Sequence, residues 1–145
     1  MNKEEFANIF LKVAFAAILA DGEIAEEEIA VLKKLNENDY YLSGYDLEDQ
    51  IAQFEKKFVA RGYIVIKTIL NELAYADISD SQKLILLNLA IQIIRSDYVI
   101  TLDEIRFIKQ LSSNLKIPNF IVESTHPNWW LMDQTPGIET DEKNQ

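Results

Sequence analysis

The chain has 145 residues and carries 24 Asp or Glu against 14 Lys or Arg, a net charge of −10, which argues against a phosphate backbone as its main ligand. With 48% hydrophobic and 26% charged residues it has the composition of a folded globular protein and not of a disordered one. The absence of Cys excludes disulfides, thiolate metal sites and Cys nucleophiles, and a single His excludes a His-rich metal site.

Apolar periodicity predicts an all-α fold of about seven helices, with Gly22, Gly44 and Gly62 falling between the periodic runs. Phe6, Ile9, Phe10, Val13, Ala14 and Ala17 form one face of a first helix over residues 3–20. Ile29, Leu32 and Leu35 mark a second over 25–37. Asp46, with Asp49 three residues on, starts a third that runs to Ala60. The fourth, over 63–76, is rich in β-branched residues and could pass for a strand, but its length and the following Leu70, Leu73 and Ala74 favour a helix. The fifth, over 80–96, is apolar almost all round and is expected to be the central, buried helix. A sixth covers 101–114, and Pro118 suits the first turn of a seventh that ends near Ser124. These elements predict one helical domain over 1–133, followed by an acidic, disordered tail over 134–145. The N-terminus is acidic where a secretory leader would be basic, and the apolar stretch Val13–Ala20 is too short to span a bilayer. The expected location is the cytoplasm, without membrane insertion.

The chain matches itself at an offset of 76 residues. Ala20 to Ile29 lies over Ser96 to Ile105, pairing Asp21 with Asp97, Ile24 with Ile100 and Glu28 with Glu104. The flanking helices match as well: Val13-Ala14 over Leu89-Ala90, Ala17-Ile18 over Ile93-Ile94, Leu32 over Ile108 and Leu35 over Leu111. Two helix-loop-helix units in a pseudo-two-fold bundle are the expected architecture.

Two readings of the repeated acids compete. In the first they are helix caps: Thr101 to Glu104 forms a capping box, while Ala25 cannot cap with its side chain and Glu26, Glu27 and Glu28 favour the positive helix end. In the second they bind a hard cation. Asp21, Gly22, Ile24 and Glu28 match the second half of an EF-hand loop, but Ala17 and Leu19 would occupy its first two ligand positions, so a true EF-hand is excluded. A weaker shared site stays open if Asp21, Glu23 and Glu28 come near Asp97 and Glu104, and oxygen-only ligands would favour Ca²⁺ or Mg²⁺.

The doubled pattern Asp21-Gly22-x-Ile24-x-x-x-Glu28 and Asp97-x-x-Ile100-x-x-x-Glu104, each followed by a Leu- or Ile-bearing helix, resembles the TerB-like domain of the tellurite-resistance family over residues 5–120. The resemblance implies an all-helical fold of two pseudo-symmetric halves, a metal site at Asp21, Glu28, Asp97 and Glu104, and a stress-response or scaffold role without enzymatic activity. Tyr98 stands where the first repeat has Gly22, so the second loop departs from the pattern. Direct binding of the tellurite anion is physically unfavourable for a chain of this charge unless a local basic pocket exists. The basic segment Lys56, Lys57, Arg61 and Lys67 reads as a solvated face that offsets the acidic surface.

Trp129 and Trp130 either fold back over the core or anchor a partner protein. Tyr40, Tyr41 and Tyr45 lie in an acidic loop that offers a surface to a basic partner, or simply joins two helices. Arg95 and Arg106 flank the second acidic loop and are expected to pair with Asp97, Asp103 or Glu104. His126 has no nameable nucleophile beside it. No Ser/His/Asp set, glycine-rich phosphate loop or His-Glu-x-x-His stands in the chain, which leaves a carboxylate-based hydrolase as the one enzyme reading. The expectation is a scaffold that holds a divalent cation, or a metal-free interaction module that uses its acidic surface and the two tryptophans.

Overall fold

The computed structural model describes residues 2–39, 46–96 and 98–131. They form α1 (Lys3–Ile18), α2 (Glu26–Asp39), α3 (Leu47–Arg61), α4 (Ile64–Leu73), α5 (Asp80–Arg95), α6 (Leu102–Asn114) and α7 (Asn119–Thr125). No strand occurs among the described residues, so the fold is all-α. The β-branched segment at α4 is helical, because Ile66, Ile69, Leu70 and Leu73 place a buried stripe at helical spacing.

Local chemistry sets the helix starts. Asn2, Ser79 and Thr101 open α1, α5 and α6 with complete capping boxes, each side-chain oxygen accepting an N–H from three residues on. Asp46 caps α3 by accepting from the N–H of Asp49. Pro118 sits one step earlier than expected, at the N-cap of α7.

The core is built on two helices. On α5, Leu86, Leu87, Leu89, Ala90, Ile91, Ile93 and Ile94 are buried. On α1 the burial from Val13 to Ile18 is unbroken and continues through Leu19 and Ala20 in the following turn. This corrects the expectation of a single buried face on α1. Small residues (Ala14, Ala16, Ala17) let neighbouring helices close around its C-terminal half, and each fully buried Leu, Ile or Phe nearby adds about 1.5–3 kcal/mol. The most extensive helix pairing is α1 with α5. Around that pair, α2 packs on both, α6 packs on α5 and α4, and α3 packs on α4. Asn114 Nδ2 donates to the carbonyl of Leu70 at 2.7 Å and ties the end of α6 to α4.

The repeat appears as position-by-position likeness. Ala14 and Ala90, Ala17 and Ile93, and Leu32 and Ile108 are all fully buried. The helix packing is less alike, since α2 bridges α1 and α5 whereas α6 turns to α4. No helix among the described residues is long and apolar enough to cross a membrane. The tail over 134–145 and the Tyr40, Tyr41 and Tyr45 loop lie outside the described residues.

Candidate functional site

The two acidic loops close in the same way. The N–H of Ala20 donates to the carbonyl of Ala17 at 3.4 Å, and that of Ser96 to Ile93 at 3.2 Å. The N–H of Gly22 donates to Leu19 at 2.9 Å, and that of Tyr98 to Arg95 at 3.2 Å. Gly22 has φ +85°, and Tyr98, its counterpart, has φ +62°. The second loop therefore keeps the left-handed backbone turn although its side chain is not glycine.

The repeated glutamates point inward. Glu28 and Glu104 are each 1% exposed. Glu104 Oε1 accepts the backbone N–H of Thr101 at 2.9 Å, while the Thr101 hydroxyl accepts the N–H of Glu104 at 3.1 Å. Glu28 Oε1 accepts the N–H of Ala25 at 3.3 Å, so half of the capping box survives where Ala25 has no side-chain oxygen. The Oε2 atoms of both glutamates are withdrawn from solvent. The remaining predicted ligands of the first loop lie nearer the surface. Asp21 Oδ1 accepts the N–H of Glu23 at 3.1 Å, a local turn, and Glu23 is exposed. Asp97 lies outside the described residues. Among the described residues no three Asp, Glu or His side chains gather closely enough to hold a metal ion.

Arg106 pairs with Asp103 at 3.4 Å, as expected. Arg95 does something the sequence did not suggest: its Nη1 donates to the backbone carbonyls of Trp129 at 2.7 Å and Leu131 at 2.8 Å. The end of α5 thus fixes the turn that follows α7. The carbonyls of that turn have no sequence signature, so only the chain path reveals the clamp.

The clamp divides the two tryptophans. Trp129 is 4% exposed and belongs to the core, the first of the two readings of the pair, and so does not serve as an exposed partner anchor. Trp130 is 46% exposed. Both rings border a cavity of about 430 Å³ between α6 and α7, whose walls include Ile105, Lys109, Ser112, Val122 and Glu123. His126 ties α7 to α5. Its Nε2 lies 3.1 Å from Asn88 Oδ1 and its Nδ1 lies 3.0 Å from Thr125 Oγ1. Burial pushes its pKa below the ordinary value of 6.5.

A hydrolase would need carboxylates that converge on a cavity. The groove of about 490 Å³ between α2 and α3 carries Glu26, Glu48 and Glu55, but all three are exposed and Glu48 holds Lys33 at 2.8 Å. No family model matches the chain, and neither a curated protein nor a solved structure does.

Proposed function

We propose that this chain is a non-enzymatic helical interaction domain of the TerB-like kind, which binds a protein partner at its C-terminal aromatic face without a metal ion. The observation that carries the reading is the division of the tryptophans: Arg95 anchors the turn, Trp129 is locked inside, and Trp130 is presented beside the α6–α7 cavity. An aromatic ring on a fixed backbone beside a partly apolar cavity has the makings of an interface anchor, since little side-chain entropy remains to be lost on binding. The TerB-like part of the reading is supported by the doubled Asp and Glu pattern and by the hydrogen bonds that the two loops share. The metal-free part is supported by Glu28 and Glu104, which are turned inward and engaged in capping.

The test combines two measurements. Chelated protein is unfolded thermally with increasing Ca²⁺ or Mg²⁺, beside an Asp21→Asn/Glu104→Gln double variant. Affinity capture then compares the wild type with Trp130→Ala. The expected result is no saturating shift with either ion, together with a discrete bound protein that Trp130→Ala loses. A ligand at about 100 times its Kd adds about 2.7 kcal/mol of stability, so a saturating shift that the double variant lacks would replace this reading with a divalent-cation site.

A further inference from the structure

A second surface, on the opposite charge balance, is formed by α3 and α4. From Lys56 to Asn71 the chain has four cations, Lys56, Lys57, Arg61 and Lys67, and no Asp or Glu. In a chain of net charge −10 this is a local reversal of sign. All four are exposed, and none forms an ion pair among the described residues, although Lys12, Lys33, Lys83 and Arg106 each find a carboxylate. The reading of this segment as a solvated face accounts for its exposure but not for what lies beneath it.

Beneath it is a groove of about 480 Å³, with Lys57 and Arg61 on its rim and Phe54, Val65 and Ile69 among its apolar walls. Phe54 is rigidly placed: it is 9% exposed and stacks on Phe15 with ring centroids 4.5 Å apart. Lys57 Nζ stands 5.4 Å from the centre of that ring, so a cation is poised over an apolar wall. The one carboxylate on the groove, Glu72, is already joined to Lys12 at 3.2 Å.

We propose that this groove docks an acidic, amphipathic peptide segment of a partner protein. One large apolar side chain enters against Phe54, Val65 and Ile69, and flanking carboxylates meet Lys57 and Arg61. Charge complementarity selects this occupant. The basic rim attracts carboxylates while the acidic remainder of the surface repels them, which confines an acidic partner to the groove. The recessed apolar walls favour a side chain over a flat bilayer, and free phosphate would leave them uncovered. The proposal is independent of the Trp130 surface.

The probe is a short fluorescein-labelled peptide of Glu, Leu and Phe at helical spacing, titrated with the full chain and followed by anisotropy. Saturable binding is expected, weakened at least about tenfold by Lys57→Glu/Arg61→Glu. Lys34→Glu, a single charge reversal on α2, retains it, whereas Lys57→Glu, the matching single reversal on the groove, weakens it. Circular dichroism and the unfolding midpoint check that the exposed double substitution leaves the fold intact, and Lys57→Gln/Arg61→Gln gives an intermediate loss. Absence of saturable binding, or equal binding by the double variant, overturns the proposal. So does binding to phosphatidylserine vesicles without binding to the peptide, which would make the patch a lipid surface. Self-association of the chain that Lys57→Glu/Arg61→Glu abolishes would instead give the groove to a second copy.

Discussion

At the scale of single residues, Gly22 and Tyr98 show how one backbone turn is met by two different side chains. Both lie in the left-handed region, with φ +85° and +62°. A Cβ added at Gly22 would meet nothing within 4 Å, so substitution there tests conformation alone. Gly22→Ala is expected to cost about 1 kcal/mol, the penalty of holding an L-residue with positive φ. Tyr98→Gly removes that penalty from an exposed position and is expected to leave stability unchanged or raise it by less than about 1 kcal/mol. Urea midpoints of the two variants check the pair, and a destabilised Tyr98→Gly would show that the ring makes contacts that outweigh the turn. The glutamates carry the same lesson. The capping role of Glu104 is legible from Thr101 three residues before it, whereas that of Glu28 is half hidden because Ala25 supplies no oxygen.

At the scale of elements, hydrophobic periodicity located the helices because a buried stripe on a helix must recur every three to four residues. It identified α5 as central, but not α1 as its equal. Ala14, Ala16 and Ala17 contribute little to a periodic signal, yet their small side chains let a helix be enclosed on every side. The tie between α7 and α5 was likewise invisible, since nothing in the local sequence joins His126 to Asn88, 38 positions away. That tie makes a pH prediction. With its pKa held below 6.5 by burial, the folded chain takes up the ring proton at lower pH than the unfolded chain does. The unfolded state therefore binds more protons in the interval between the two values. The stabilising contribution is complete above about pH 6.5 and is lost as the pH falls toward the folded value. Between about pH 7.5 and about pH 5.5 the wild type should lose more stability than His126→Asn in parallel denaturant titrations. Equal losses would mean that the ring titrates alike in both states.

At the scale of the molecule, the net charge of −10 places like charges over most of the surface. The ion pairs that oppose this, such as Lys12 with Glu72 and Lys33 with Glu48, are solvent-exposed and contribute about 0–1 kcal/mol each. Self-repulsion should outweigh them, so raising NaCl from about 10 mM to about 150 mM, which shortens the Debye length from about 30 Å to about 8 Å, should raise the urea midpoint. A falling midpoint would show that the ion pairs dominate. The same balance makes the bare basic run from Lys56 to Lys67 stand out as a site and not as general surface chemistry. By itself the sequence determined the helices, their caps and the doubled loop, because these depend on residues within a few positions of one another. Tertiary structure alone decided which tryptophan is buried, that Arg95 grips the backbone beyond α7, and that Lys57 and Arg61 of α3 border a partly apolar groove. Those facts depend on distant segments meeting in space, and no local pattern of residue types encodes such a meeting.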